Sequence, residues 1–249
     1  MQMPRVLICL PAFNEEKAIP DLLRTIKMYI DEERLSAKVI VVDDGSTDDT
    51  VAVCEQAGKE MDVEVLRHGT NKGLGDAILT GLRRAMEISN ERDVIVTMDA
   101  DNSHTPGLIL RMVRMIREGN DVVVASRYAP GANIRGVTLV RRILSYAASV
   151  YCRALFPTRN LKDYTSGYRA YKIEILKSAF AKYGESFIVQ SGFACMIEIL
   201  LRLRAIDAIF AEAPLILRYD KKESASKMHV IRTIGQTLLL LAKVRFGGN

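Results

Sequence analysis

The sequence lacks the features of several protein classes. It contains no tryptophan and only four cysteines, Cys9, Cys54, Cys152 and Cys195, none of which forms a CxxC pair. This excludes a zinc knuckle and a disulfide framework, and it favours a reduced, cytosolic chain. The apolar runs are short: residues 238–242 form the longest run near the C-terminus, whereas a membrane-spanning helix needs ~20 apolar residues. The apolar stretch before Asn14 is also too short for a signal peptide. Any membrane contact is therefore expected to be peripheral.

The composition is that of a globular protein with a sizeable core. Hydrophobic residues make up 49% and charged residues 26% of the 249 positions. The formal net charge of +5 indicates an anionic partner. Charge alone does not distinguish phosphates, nucleic acid and a membrane surface.

Short β-rich runs alternate with amphipathic helical patterns. We predict strands at residues 5–10, 38–42, 63–66, 93–98 and 121–125, with helices at 15–33, 49–60, 75–88 and 106–118. This order predicts an α/β fold, with a Rossmann-like, mostly parallel sheet and helices on both faces. Further helices are predicted at 137–156, 191–205 and 229–246, and a short strand near 208–217. We assign residues 1–228 to one domain and residues 229–249 to a C-terminal amphipathic helix.

Acidic and polar residues follow three of the predicted strands. Asn14-Glu15 follows the first strand, Asp43-Asp44 the second, and Asp99 with Asp101 the fourth. One such cluster is explained by helix capping. Three clusters at the carboxyl edge of a parallel sheet indicate a ligand site. The Asp-Ala-Asp sequence further predicts a Mg²⁺ or Mn²⁺ site, because hard cations prefer oxygen ligands and bridge to phosphates.

Two glycine-containing turns are less specific. Asp43-Asp44-Gly45 is explained either by turn chemistry or by a carboxylate that accepts hydrogen bonds from a nucleobase or ribose. Gly73 and Gly75 open a helix, but the Walker spacing is absent, so turn chemistry is favoured over a phosphate loop.

Eight motifs together resemble the family 2 glycosyltransferases of GT-A fold, and most closely the dolichyl- or polyprenyl-phosphate mannose synthases. They are PAFNE (11–15), VVDDGSTD (41–48), NKGLG (71–75), MDADNSHTP (98–106), SRY (126–128), RRILS (141–145), TSGYR (165–169) and SASK (224–227). The resemblance runs through most of the chain. It departs from the usual pattern at Phe13, where the family usually has tyrosine, and at Lys221, where it often has arginine.

The resemblance implies a role for each matching residue. The nucleotide-binding positions are Pro11, Phe13, Glu15, Val42 and Asp44. Asp99, Ala100 and Asp101 hold diphosphate and metal, and Ser103 is a third metal-associated position. Arg127, Arg141 and Ser145 hold the acceptor phosphate, while Lys227 and, at the departing position, Lys221 face the donor diphosphate. Asp101 and Arg127 are the expected catalytic residues.

The implied chemistry is displacement with inversion at the anomeric carbon. A phosphate acceptor with a second pKa of ~6 is already anionic at neutral pH, so it needs orientation more than a general base. Arg127 and Arg141 suit that task, because guanidinium groups stay charged and fork onto phosphate oxygens. His104 is expected to support the turn in preference to acting as a base or metal ligand.

Several functions remain open. We favour GDP-mannose as donor and a polyprenyl or dolichyl phosphate as acceptor, with UDP-glucose as the alternative donor. A soluble transferase with a hydroxyl acceptor and a non-catalytic nucleotide-sugar-binding membrane adaptor are further alternatives. Nucleic acid is not an expected partner. The helices at 137–156 and 229–246 combine apolar and basic residues, so each either lies at a membrane or packs on protein. We expect peripheral association with the cytoplasmic face of a membrane, with a membrane-anchoring protein as a further partner.

Overall fold

A computed structural model describes residues 4–221, together with Gly235 and Thr237. The strands are β1 (Val6–Ala12), β2 (Ala37–Asp43), β3 (Val63–Arg67), β4 (Val94–Thr97), β5 (Val122–Ser126), β6 (Asn133–Arg135), β7 (Arg169–Lys172), β8 (Phe210–Pro214) and β9 (Ile216–Arg218). The α-helices are α1 (Ile19–Glu32), α2 (Thr50–Ala57), α3 (Leu74–Ile88), α4 (Ile109–Arg117), α5 (Leu139–Leu155), α6 (Ile173–Tyr183) and α7 (Cys195–Arg204). Short 3₁₀ turns occupy Pro106–Leu108, Gly184–Phe187 and Tyr219–Lys221.

Seven strands form one mixed sheet in the order β3-β2-β1-β4-β7-β5-β8. All its pairings are parallel except those of β7, which runs antiparallel to β4 and β5. A second, two-stranded sheet pairs β6 with β9 in parallel. The mostly parallel sheet predicted from the sequence is thus confirmed.

The sheet is covered on both faces, which explains the continuous apolar runs of its central strands. Val39 and Val41 of β2 pack into a core with α1, α2 and α4. Ile40 and Val42 point the other way and pack with α3, α6 and α7. The predicted placement of helices on both faces is confirmed.

Three elements of the second half were not predicted. In β7 only Ala170 and Tyr171 lie between Arg169 and Lys172, so there is no apolar run to indicate a strand. Helix α6 and strand β6 were also missed. The single strand expected near residues 208–217 is two strands, β8 and β9, which belong to different sheets.

The four cysteines are free, in agreement with the reduced chain predicted from the sequence, and all four are buried. Burial raises the pKa of each thiol to about 12, so the thiols stay protonated and unreactive at neutral pH. Across residues 4–221, no helix is both long and apolar enough to cross a bilayer. The helix predicted at 229–246 lies outside the described residues except for Gly235 and Thr237, which are helical.

Candidate active site

The three acidic motifs lie side by side because β2, β1 and β4 are neighbours in the sheet. The strands are parallel, with Ala12 opposite Asp43 and Cys9 opposite Thr97, so their carboxyl ends share one edge. The main chain continues this pairing beyond the strands, as the Asp44 amide donates to the Ala12 carbonyl at 2.8 Å. The expected convergence of the motifs is confirmed.

The loops after β1 and β2 are tied together by their own polar side chains. The Asn14 amide donates to Ser46 Oγ at 2.9 Å, and Asn14 Oδ1 accepts from the Thr47 amide at 2.8 Å. The Glu15 amide donates to Thr50 Oγ1 at 2.8 Å. This part of the edge is therefore a fixed frame.

The residues predicted to bind the nucleotide differ in how exposed their side chains are at this edge of the sheet. Pro11 and Phe13 are partly exposed, so their side chains are accessible to a ligand. Glu15 is buried in the tied loop. The side chains of Val42 and Ala100 are also buried and belong to the core, so the predicted contact of these residues with a ligand would have to be made through the main chain.

Asp44 has a structural role that sequence reasoning did not identify. Its Oδ1 accepts from the Lys72 amide at 2.9 Å, and its Oδ2 accepts from the Gly73 amide at 2.8 Å. His68 Nδ1 lies 2.7 Å from Asp44 Oδ1, and His68 Nε2 lies 2.9 Å from Thr80 Oγ1 on α3. Asp44 therefore holds the loop that opens α3, and a contact with the nucleotide stays a prediction.

The same loop is fitted closely against the segment before α7. Gly73 has φ of +101°, and a Cβ there would lie 2.5 Å from the Ser191 carbonyl oxygen. The Gly75 amide donates to that oxygen at 2.9 Å. Buried Glu198 supports the segment, because its Oε2 accepts from the amides of Val189 and Gln190, each at 2.9 Å. Both glycines are explained by this close approach; the positive φ of Gly73 agrees with the predicted turn chemistry, whereas Gly75 lies inside α3 and is required only by the nearby backbone.

The Asp-Ala-Asp segment is held by hydrogen bonds on both sides. Asp101 Oδ1 accepts from the Ser103 amide at 3.1 Å and from Ser103 Oγ at 2.5 Å. The Asp99 amide donates to His104 Nδ1 at 3.2 Å, and the His104 ring stacks on Tyr168 with centroids 5.1 Å apart. Through this bond His104 holds the main chain at Asp99, which is the supporting role expected of it.

The oxygen donors of this segment suit a hard cation. Asp99, Asp101 and Ser103 offer two carboxylates and a hydroxyl within five residues of chain. Among the described residues, no group of three or more acidic, histidine or cysteine side chains forms a complete metal cage. The two carboxylates suit Mg²⁺ or Mn²⁺, which are usually bound by one or two protein carboxylates together with substrate phosphates.

Arg127 follows β5 and is clamped by Asp163. Its amide and Nε donate to Asp163 Oδ2 at 3.0 and 2.8 Å, and its Nη2 donates to Asp163 Oδ1 at 2.7 Å. Nη2 also donates to Thr165 Oγ1. Asp163 occupies the Nε and Nη2 edge of the guanidinium, so that edge is not available to fork onto a phosphate, and the contact of Arg127 with the acceptor phosphate stays a prediction.

The charges of this pair are coupled. Burial alone lowers the pKa of Arg127, but the charge of Asp163 and its hydrogen bonds outweigh burial and raise it, with smaller contributions from Tyr128 and Asp99. Burial alone likewise raises the pKa of Asp163, and Arg127 holds the pKa below its usual range. Both groups are therefore charged at neutral pH.

Helix α5 is joined to the Arg127 loop by aromatic and hydroxyl contacts. Tyr128 Oη and Ser145 Oγ are 3.4 Å apart, and the rings of Tyr128 and Tyr146 meet edge to face at 5.7 Å. Ser145 is thus brought close to the Arg127 loop. Arg141 lies in the first turns of α5, four residues before Ser145, and its side chain is outside the description.

Two predicted donor-site residues are not placed by the structure. The backbone of Lys221 ends the turn Tyr219–Lys221, but its side chain is not described. Lys227 lies outside the described residues. Sequence reasoning missed Asp163 and His68 entirely; the only available signal for Asp163 was its position two residues before the quoted TSGYR motif.

Comparison with known proteins agrees with this geometry. The family described as Glycosyl transferase family 2 matches residues 7–180. The chain is 32% identical over 225 residues to an undecaprenyl-phosphate mannosyltransferase of Micrococcus luteus, covering 90% of this chain and 87% of that protein. It is 33% identical over 231 residues to a polyprenol monophosphomannose synthase of Mycolicibacterium smegmatis, covering 90% and 81%.

A solved structure shows the same fold. Glucosyl-3-phosphoglycerate synthase from Mycobacterium tuberculosis, in complex with Mn²⁺, UDP and glucosyl-3-phosphoglycerate, superposes with a TM-score of 0.68 at 22% identity, covering 99% of this chain and 81% of that one. At this identity the likeness shows the fold alone. The family match and the close relatives show that the chain belongs to glycosyl transferase family 2 and is a glycosyltransferase of GT-A fold.

Proposed function

We propose that this glycosyltransferase transfers mannose from GDP-mannose to a polyprenyl or dolichyl phosphate, with inversion at the anomeric carbon. The observation that carries the proposal is that the Asp99–Asp101 segment and Arg127 follow β4 and β5, the two strands that flank β7 and end at the same edge of the sheet. The proposed reaction needs a pair of carboxylates on the donor side and a guanidinium that contacts the anionic acceptor. The names of the close relatives support the sugar and the lipid.

The described side chains divide the chemistry between donor and acceptor. Asp99, Asp101 and Ser103 would hold the divalent cation with the donor diphosphate. When bound, the cation offsets the negative charge that grows on the leaving diphosphate. Arg127 and Ser145, with Arg141, orient the acceptor phosphate, whose oxygen is already anionic and attacks without a general base. Pro11, Phe13, Glu15, Val42 and Asp44 form the proposed nucleotide frame, and Lys221 and Lys227 are proposed to neutralise the diphosphate.

A donor and acceptor screen tests this proposal. Purified protein is incubated with GDP-mannose or UDP-glucose, a short-chain polyprenyl phosphate and Mn²⁺, with and without EDTA. We expect mannosyl-phosphate lipid from GDP-mannose and loss of product with EDTA. Product from UDP-glucose alone would overturn the sugar assignment, and activity that persists with EDTA would overturn the metal. Product formed only with the matching polyprenol, which lacks the phosphate, would overturn the assignment of a phosphate acceptor.

We also propose that α5 contacts the membrane that holds the lipid acceptor. Its exposed apolar side chains follow helical spacing, with Leu139, Ile143, Tyr146 and Val150 on one stripe. The exposed Arg142 lies beside this stripe. Such a helix lies in the interface of an anionic membrane with its apolar side chains among the acyl chains. The four reduced cysteines support the cytoplasmic face as the location.

The remaining proposals concern the C-terminus. We propose that residues 1–228 form the catalytic domain and that residues 229–249 form an amphipathic helix. This helix would contact the membrane or a membrane-anchoring protein, as its apolar and basic residues permit.

The double variant Leu139→Glu/Ile143→Glu tests the role of α5. These side chains are 69% and 57% exposed, so the change costs little in the folded protein. We expect co-sedimentation with phosphatidylglycerol vesicles to weaken roughly tenfold or more, since two apolar side chains lose their burial in the bilayer. Met28→Glu on α1, at a side chain that is 65% exposed, is the matched control and should bind as the wild type does. Equal binding by all three proteins would contradict the membrane role.

A further inference from the structure

The guanidinium of Arg127 has one pair of hydrogens left for a ligand. Three of its five N–H groups are used, since Nε and Nη2 donate to Asp163 and Nη2 also donates to Thr165. Among the main-chain and side-chain groups that the structure describes, none accepts a hydrogen bond from its two Nη1 hydrogens. A guanidinium is planar, so fixing Nε and Nη2 also fixes the direction of Nη1.

Asp163 is itself held rigidly. Its side chain is fully buried, and its Oδ1 accepts from the amides of Thr165 and Ser166 at 3.2 and 3.1 Å. Its own amide donates to Glu212 Oε1 at 2.7 Å. Glu212 lies on β8, opposite Val124 of β5 in the parallel register. The carboxylate that aims Arg127 is thus anchored to the sheet from which Arg127 emerges.

The pair is close to neutral as a unit. Arg127 and Asp163 are both charged, so the guanidinium offers the site a fixed pair of donors with little net positive charge. Net attraction for an anion must then come from other cations, such as the proposed acceptor residue Arg141. Arg127 instead fixes the direction from which hydrogen bonds are donated to the anion.

We propose that Asp163 is a positioning residue, which aims Nη1 of Arg127 at the acceptor phosphate so that the contact is made end-on through Nη1. This inference rests on the proposed function, which assigns Arg127 to the acceptor. The geometry also predicts that Thr165 contributes to the same alignment, because it holds the second hydrogen of Nη2.

Steady-state kinetics of Asp163→Asn tests the inference. Asparagine keeps one oxygen for the amides of Thr165 and Ser166, but it loses the second acceptor that aligns Arg127. We expect KM for the polyprenyl phosphate to rise on the order of a hundredfold, as expected for a misplaced positioning group. KM for the nucleotide-sugar should stay within about twofold, because the donor half of the site is untouched. A purely structural role would instead lower kcat through a smaller folded fraction and leave both KM values unchanged.

A milder variant guards against misfolding of Asp163→Asn. Thr165→Val removes one hydrogen bond from Arg127 without leaving a buried charge, and we expect KM for the acceptor alone to rise. Thr25→Val, at an exposed position on α1, is the matched control and should leave both KM values unchanged. Unchanged acceptor KM in Thr165→Val and in folded Asp163→Asn would overturn the inference.

A double-mutant cycle identifies the route of the effect. Asp163→Asn is combined with Arg127→Lys, which cannot receive the same alignment. If Asp163 acts through Arg127, adding Arg127→Lys to Asp163→Asn should raise the acceptor KM little further. If the two changes raise the acceptor KM by independent factors that multiply, the inference is overturned. The wild type separates the two proposals. If the wild type transfers no sugar to polyprenyl phosphate, the proposed function has failed. If the wild type transfers sugar but the variants have an unaltered acceptor KM, only the role of Asp163 is refuted.

Discussion

Replacing Asp101 with asparagine is expected to lower kcat roughly a thousandfold while leaving the fold intact. Asparagine keeps the Oδ1 that accepts both hydrogen bonds of Ser103, so the turn after β4 is preserved. It removes the negative charge proposed to hold the cation, whose stabilisation of developing charge amounts to several kcal/mol, or about a factor of ten per 1.36 kcal/mol. The measurement is kcat over a series of Mn²⁺ concentrations.

The control for Asp101→Asn is Asp62→Asn. Asp62 is half-exposed and pairs with Arg5 and Lys38, near the opposite ends of β1 and β2 from the acidic motifs. Its loss should leave kcat and metal dependence unchanged, since exposed ion pairs contribute little to stability. If Asp101→Asn retains wild-type kcat at every Mn²⁺ concentration, Asp101 is not a metal ligand in this enzyme.

Adding a single methyl group at Gly75 is expected to destabilise the protein severely. A Cβ at this position would lie 2.0 Å from the Gln190 carbonyl oxygen, and the obstacle is backbone that cannot rotate away. The start of α3 and the 188–191 segment must separate, breaking the hydrogen bond from the Gly75 amide to Ser191. We expect Gly75→Ala to cost about 3 kcal/mol of unfolding free energy, which corresponds to roughly 6–12 °C in Tm for a domain of this size.

Gly107→Ala provides the comparison for Gly75→Ala. The nearest atom to a Cβ at Gly107 is Tyr29 Cε2 at 3.9 Å, an ordinary contact, and the residue is exposed. Differential scanning calorimetry should show little change in its Tm. A Tm for Gly75→Ala within about 2 °C of the wild type would mean that the 188–191 segment yields easily.

The first half of the fold could be predicted from sequence because local and long-range signals agree there. Strands β1, β2, β4 and β5 are nearly continuous apolar runs, and each is followed by polar residues at the sheet edge. The second half gave weaker signals. Strand β7 carries a fully buried Arg169, whose Nη2 donates to the carbonyls of Tyr164 and Met196. A buried arginine at the start of a four-residue strand leaves no apolar pattern to read.

The site was predictable in its acidic half and not in its supporting contacts. Asp99 and Asp101 are recognisable because two carboxylates follow a strand. The task of Asp163 depends on Arg127, which lies 36 residues earlier in the chain. Similarly, Asp44 and Gly73 are 29 residues apart, and only the folded sheet edge brings them together. Such pairings carry no local signal.

The reversed direction of β7 has a consequence for how this enzyme can change its acceptor. Strand β5 ends and β7 begins at the same edge, and the Ala125 amide lies 2.9 Å from the Tyr168 carbonyl oxygen. The intervening stretch, which includes α5, therefore departs from the sheet and returns to almost the same point. A longer or shorter excursion would leave every strand register of the seven-stranded sheet in place. The part proposed to face the acceptor can thus be exchanged as an insertion, while the strands that carry the proposed donor residues stay as they are.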